Sequence, residues 1–124
     1  MMGRIASIIF VGAGLICCSN AWAWTMVGDK VKFSDAELNV CRLFEHDAAV
    51  VYLNRQEGYP LDFEDRFPPT VIQMRMRQDM IFEANAIPIE SSPEKRMAIG
   101  EKFTKRFLGK CFRFFYETDP PGRY

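Results

Sequence analysis

The chain has few of the side chains from which most active sites are built. Its 124 residues include one histidine, His46, whereas a zinc site uses about three or four histidine, cysteine or carboxylate ligands. No G-x-S-x-G sequence is present, which excludes the nucleophile turn of the α/β-hydrolases. The four cysteines show no C-x-x-C spacing, so nothing supports a thioredoxin-like redox site. The sequence therefore offers no catalytic motif.

An excess of one charge and a long apolar segment are also missing. Lys and Arg together number 16, as do Asp and Glu, and no nucleic-acid-binding motif accompanies them. We therefore do not expect DNA or RNA as a partner. The longest apolar run, residues 5–16, is shorter than the roughly 20 residues of a transmembrane helix.

The first 23 residues are typical of a cleaved bacterial export signal. Arg4 supplies a basic start, residues 5–16 are apolar, and Ala21-Trp22-Ala23 places small residues at the two positions that a signal peptidase reads. We expect cleavage after Ala23, with a weaker site two residues earlier. The predicted location is periplasmic or secreted.

Two alternatives to this processing stay open. The segment could be retained as an uncleaved membrane anchor, or a lipid could be attached to Cys17 or Cys18. A lipid-modified cysteine follows a small residue, whereas Cys17 follows Ile16 and Cys18 follows Cys17. The pattern therefore favours cleavage and no stable membrane insertion afterwards.

Removal of the signal leaves Cys41 and Cys111 in a compartment where disulfides persist. The remaining chain is long enough for one domain, residues 34–118, between a loosely ordered lead-in of residues 24–33 and a flexible tail of residues 119–124. A small core is marginal by itself, and a Cys41–Cys111 bridge would add roughly 4 kcal/mol in the chain-entropy model. We predict that bridge.

Capping signals and apolar periodicity predict three helices. The first begins after Ser34, with Glu37 completing a capping box, and extends to residue 57, where Gly58 ends it. The second covers residues 70–86, and the third starts at Ser92-Pro93 and reaches about residue 116. No run favours a strand, and residues 61–67 are predicted to add one short helical turn. We expect an all-α, three-helix domain.

Each predicted helix has one apolar face. On the first helix this face comprises Leu38, Cys41, Phe44, Ala48, Val51 and Tyr52; on the second, Ile72, Met76, Met80, Ala84 and Ile87; on the third, Met97, Gly100, Phe103, Thr104, Phe107, Leu108, Cys111, Phe114 and Phe115. Both cysteines lie centrally in their faces. The first and third helices should therefore meet at the bridge.

The third helix also carries a basic stripe, which we define as Lys95, Lys102, Arg106 and Arg113. Their spacing places them on one side of the helix, away from Phe107. Residues 24–90 are net acidic, so the stripe has two interpretations. It is a solvated face partly paired with that acidic segment, or it binds an acidic protein, an anionic lipid or an anionic polymer.

A second candidate surface is apolar. Leu43, Val50 and Leu53 project roughly opposite Cys41 on the first helix. A three-helix domain can hardly bury every side of one helix. The three residues therefore favour a contact with a partner or with a second copy of the chain.

Other groups give weaker indications of function. His46 is expected on exposed helix surface, and the alternative is a small hydrolase that uses it. The carboxylates of Asp62, Glu64 and Asp65 are expected to be solvated loop charges, since their spacing does not match a calcium loop. Met74, Met76 and Met80 are interpreted as core residues rather than a copper set. We predict no metal or cofactor.

The types of residue at several positions resemble those of an uncharacterised family of small, helical, exported bacterial proteins with two cysteines. The positions are Cys41, Ala48, Arg55 and Gly58 in and after the first helix, and Phe103, Phe107 and Cys111 in the third. The chain resembles that family. In size, export and helix content it is also similar to periplasmic immunity proteins of the type VI secretion system. That resemblance implies a protein that blocks the active site of a toxin, but no inhibitory loop motif is matched.

The sequence thus predicts an exported, non-enzymatic protein-binding domain, with an immunity-type inhibitor as its most specific form. The expected partner is a protein of the cell envelope with an acidic surface. The main alternative is a structural or accessory subunit of an envelope complex, assembled through the apolar surface of the first helix.

Overall fold

The computed structural model describes residues 23–118, which form a short hairpin and three helices. The elements are β1 (Thr25–Val27), β2 (Lys30–Lys32), α1 (Asp35–Glu57), α2 (Val71–Asn85) and α3 (Pro93–Thr118). Contacts divide them into two compact units, residues 23–39 with 112–118 and residues 40–111. The predicted export signal up to residue 22 and the tail of residues 119–124 lie outside the described residues.

Both ends of α1 confirm the sequence prediction. The Ser34 hydroxyl accepts a hydrogen bond from the Glu37 amide at 3.2 Å, and the Glu37 carboxylate accepts one from the Ser34 amide at 2.9 Å. This is the capping box. At the other end Gly58 has φ 75°, and the Tyr59 amide donates to the Asn54 carbonyl at 2.9 Å. That pair of features closes the helix as a Schellman motif.

The other two helices also begin where side chains cap them. Thr70 caps α2 and forms a capping box with Gln73. Ser92 caps α3, since its hydroxyl accepts from the Lys95 amide at 3.5 Å. Pro93 is the first residue of α3, where its missing N–H costs nothing.

The prediction that no strand forms was wrong for the lead-in. β1 and β2 pair antiparallel, with Thr25 opposite Lys32 and Val27 opposite Lys30. Gly28 has φ 65° at the first central position of the two-residue loop, as a type II′ hairpin requires. A two-stranded hairpin is marginal alone. Two aromatic pairs of the same unit hold it. The ring centroids are 4.8 Å apart in Trp24–Tyr116 and 4.7 Å apart in Phe33–Phe112.

The short helical turn predicted in residues 61–67 is absent; those residues are irregular, with a bend at the end. Two causes are visible. Phe67 precedes Pro68, which disfavours helical backbone. Phe63 and Asp65 both contact Arg77, and side chains two positions apart share a side only in extended backbone.

The core of the 40–111 unit confirms the predicted bridge. Cys41 and Cys111 are joined, with their α-carbons 5.4 Å apart, and both are fully buried. Around them the buried apolar residues are Phe44, Ala48, Val51, Tyr52, Met80, Ala84, Phe103 and Phe107. The bridge joins an early residue of α1 to a late residue of α3, so the two helices are antiparallel within this unit.

Three residues predicted to face inward do not. Met97 is 69% exposed because Tyr52 occupies the space beneath the start of α3, where its ring packs on Gly100. Ile72 and Met74 lie in the first turn of α2 and are exposed. The buried residues of α2 are Met80 and Ala84, about two and three turns further on, so α2 enters the core only through its second half.

Candidate functional site

All four residues of the basic stripe are exposed on α3. One of them is paired: the Arg106 guanidinium donates to the Glu83 carboxylate of α2 at 2.9 Å. Lys110, which lies next to the stripe, donates to the same carboxylate oxygen at 3.0 Å. Within residues 23–118, Lys95 and Lys102 form no ion pair, so the stripe keeps an excess of positive charge.

A small cavity of about 290 Å³ opens beside the stripe, between α2 and α3. Ile87, Ile99 and Phe103 form its apolar part, and Lys102, Arg106 and Glu83 supply its charges. Partial burial opposes ionisation of Glu83, but hydrogen bonds from Lys110 and Arg106 outweigh it and hold the pKa of Glu83 below its ordinary value. Glu83 therefore stays ionised and fixes both cations in place.

A larger cavity of about 380 Å³ lies between α1 and α3, and we call it the α1–α3 groove. Its lining residues are Ala49, Tyr52 and Leu53 from α1, and Pro93, Arg96, Met97, Gly100, Glu101 and Thr104 from α3. Most of these side chains present carbon atoms. The groove is therefore an apolar channel with charges at its edge.

The floor of the groove is rigid. The Tyr52 hydroxyl donates to the Arg96 carbonyl at 2.5 Å, and burial raises the pKa of that hydroxyl, with Arg96 opposing and Glu90 adding to the shift. A Cβ on Gly100 would lie 2.7 Å from the Tyr52 ring. Glycine is thus what lets the two helices approach here, and the sequence carried that signal only as a small residue in an apolar face.

The apolar surface predicted from Leu43, Val50 and Leu53 is divided in the structure. Leu43 and Leu53 are each 54% exposed, and Val50 is half-buried. Leu53 lines the α1–α3 groove, whereas Leu43 and Val50 do not. The structure therefore places Leu53 with Met97 of α3 rather than in a separate patch of α1.

The predicted loop carboxylates are not gathered into a site. Asp65 accepts from Arg77 at 2.7 Å, and Arg77 also donates to Asp47 of α1 at 2.9 Å. The Arg77 guanidinium lies 4.0 Å from the centre of the Phe63 ring. The hydrogen bond to Asp65, together with Asp47, raises the pKa of Arg77 against the effect of burial. Arg77 thus fastens residues 58–70 to α1 and α2.

The remaining candidates stay apart. His46 is exposed on α1, and Asp62 and Glu64 are exposed in the irregular segment that follows α1. Among the described residues, no three His, Cys, Asp or Glu are grouped so that they could hold a metal ion. In the same part of the chain, no helix combines the length and apolar content needed to cross a membrane. Met80 is in the core while Met74 is exposed, so the core interpretation of the methionines fails for Met74.

Comparisons of the chain with protein-family models, with curated proteins and with solved structures find no match. Among the described residues, the basic stripe and the α1–α3 groove each combine exposed side chains with a cavity.

Proposed function

We propose that this chain is an exported, non-enzymatic protein-binding domain, and that it acts as a periplasmic inhibitor of the immunity type. The observation that supports this most is the basic stripe on α3, in which Lys95 and Lys102 are exposed and unpaired among the described residues. A partner with an acidic surface would supply the missing counter-charges.

The scaffold suits an inhibitor because the helix backbone that carries its binding side chains is held in place before binding. The Cys41–Cys111 bridge joins α1 to α3, and Gln56 of α1 donates to the Pro88 carbonyl at 3.1 Å and accepts from the Glu90 amide at 2.8 Å, just before α3. A backbone that is already held in place loses little conformational entropy on binding, which raises affinity for a given contact area. The bridge also fits an oxidising compartment outside the cytosol.

The stripe gives the partner two kinds of contact. Exposed lysines attract an acidic surface over a distance of roughly 8 Å at physiological salt, which accelerates encounter. The adjoining cavity, with Ile87, Ile99 and Phe103 beneath Lys102 and Arg106, can take an apolar side chain next to a carboxylate. Affinity for the partner should therefore fall as the salt concentration rises, while the apolar contact in the cavity keeps part of it.

The test is capture of a partner by tagged protein recovered from a bacterial periplasm, analysed by mass spectrometry. Wild type should retain a specific protein with an acidic surface, and Lys95→Glu/Lys102→Glu should lose it. Lys105→Glu is the matched control, because Lys105 is an exposed lysine of α3 outside the stripe. Recovery of envelope lipid alone, or equal capture by all variants, would contradict the proposal.

A second candidate function rests on the exposed Leu43 of α1. Leu43 is a large apolar side chain that lines neither cavity. Such exposure would suit a structural or accessory subunit of an envelope complex that assembles through Leu43 and Val50. Light scattering after size exclusion separates the two candidates: a stable oligomer that Leu43→Asp dissociates favours assembly, and a monomer favours the inhibitor.

A further inference from the structure

The α1–α3 groove is lined by other residues than the basic stripe, and carboxylates outnumber cations around its Pro93 end. We propose that it is a second binding site, and that its occupant is an amphipathic helix of a partner protein with lysines or arginines flanking its apolar face. The inference does not depend on the proposed function, because the two sites lie on different sides of α3: the stripe faces α2 and the groove faces α1.

The shape of the groove fits a helix. Two antiparallel helical segments form its walls, held at one end by the Cys41–Cys111 bridge and near the other by the Tyr52–Arg96 hydrogen bond. Its volume of about 380 Å³ is at the low end of the roughly 300–1,000 Å³ of ligand pockets. An amphipathic helix enters such a groove with side chains one turn apart.

The two walls offer apolar contacts at matching positions. Leu53 and Ala49 are one turn apart on α1, and Met97 and Thr104 are two turns apart on α3. Leu53 and Met97 are the most exposed of these apolar side chains. Between them lies the Tyr52 ring on Gly100, so a docked side chain would meet a flat aromatic floor.

The charges around the groove indicate the sign of charge that its occupant carries. Four carboxylates belong to its Pro93 end, and they are Glu57, Glu90, Glu94 and Glu101. Glu101 lines the groove, and Glu94 shares its side of α3 because the two are seven residues apart. Glu90 lies close enough to affect the Tyr52 hydroxyl.

Arg96, the cation that lines the groove, is already engaged. Arg96 donates to the Glu90 carbonyl at 2.8 Å and to Glu57 at 3.5 Å. Glu94 and Glu101 form no ion pair within residues 23–118. A helix with a basic flank supplies the missing counter-charges, whereas a symmetric dimer through this groove would bring the same carboxylates together. The charge pattern therefore favours a basic partner over a second copy.

The test uses two synthetic helical peptides of about 16 residues with the same leucine face, one flanked by lysines and one by glutamates. Fluorescence anisotropy with the exported chain, at about 150 mM salt, measures both affinities. We expect the lysine peptide to bind about tenfold tighter or more. Glu94→Lys/Glu101→Lys should reverse the preference, and Lys102→Glu in the stripe should leave it unchanged.

Two leucines of equal exposure give a matched pair of variants. Leu53→Asp in the groove should weaken lysine-peptide binding by about tenfold or more, while Leu43→Asp, outside the groove on the same helix, should not change it. Met97→Asp on the opposite wall repeats the test should Leu53→Asp fail to fold, as judged by thermal melting.

Three outcomes would overturn the proposal. Equal binding of the two peptides, or of neither, would show that the groove does not select a basic helix. Equal loss in Leu43→Asp and Leu53→Asp would place binding elsewhere. A wild-type dimer in light scattering that Leu53→Asp dissociates would make the occupant a second copy of this chain.

Discussion

Breaking the Cys41–Cys111 bridge should remove a large part of the stability of this chain. The cysteines are 70 positions apart, and closing a loop of that length is worth roughly 4 kcal/mol in the chain-entropy model. The net stability of a small domain is about 5–15 kcal/mol. At about 4–8 °C per kcal/mol for a domain of this size, the melting temperature should fall by about 15–30 °C.

Urea unfolding followed by circular dichroism measures this loss. Oxidised wild type is compared with wild type kept in reductant and with Cys41→Ala/Cys111→Ala. Because both cysteines are fully buried, the alanines also leave small cavities, so the double variant should be the least stable of the three. Oxidised and reduced wild type that unfold at the same urea concentration would refute the reasoning, since the link would then not constrain the unfolded chain.

Three further predictions concern packing and charge. Gly100→Ala should lower the free energy of unfolding by about 1–3 kcal/mol, because the added Cβ clashes with the Tyr52 ring. Gly109→Ala should raise it by up to about 1 kcal/mol, because a Cβ there meets nothing within 4 Å. Equal effects of the two variants in urea unfolding would contradict this. Arg77→Leu should lower the free energy of unfolding by about 3 kcal/mol, because it leaves Asp47 unpaired. It should also speed proteolysis of residues 58–70, which lose their contact with Arg77, and an unchanged cleavage rate would count against this. The pKa of Glu83 is below its ordinary value of 4.5, so its ionised carboxylate stabilises the fold above pH 4.5, and this stabilisation is lost as the pH falls through the lowered pKa. Wild type should therefore be more stable than Glu83→Gln at neutral pH, by under about 1 kcal/mol. Urea unfolding should show this difference shrinking in acid, and a difference that widens there would contradict the prediction.

Most of the features predicted correctly are those that neighbouring residues determine. The Ser34–Glu37 capping box and the Gly58 stop each lie within one turn of chain. The Cys41–Cys111 bridge followed from elimination, because only two cysteines remained after the predicted signal and both lay in apolar faces. Such signals do not depend on knowing which helices touch.

The features that were missed depend on distant residues. β1 and β2 have three residues each, too short for a clear alternation, and their hairpin is held by aromatic partners that the sequence places far away at Phe112 and Tyr116. Residues 61–67 have helix-compatible spacing, but Arg77 holds them in an irregular path. Neither contact can be read from local sequence.

The candidate surfaces show the same division. The basic stripe was visible from spacing on one helix, and all four residues are exposed as predicted. Partial pairing with the acidic segment of residues 24–90 was one of the two interpretations of the stripe, and the structure identifies Glu83 of α2 as the partner of Arg106. The α1–α3 groove was not predicted because it needs two helices and the close approach at Gly100. Leu53 was noticed only as an exposed apolar residue of α1.

We propose that the basic stripe contacts a protein partner outside the cytosol. In-cell photocrosslinking tests it directly, with a photoreactive amino acid placed at position 102 of the stripe and, as a control, at position 26 of the hairpin, where Met26 is also exposed. Position 102 should give an adduct with a distinct acidic protein, and position 26 should give none. Adducts that are the same from both positions, or none from position 102, would contradict it.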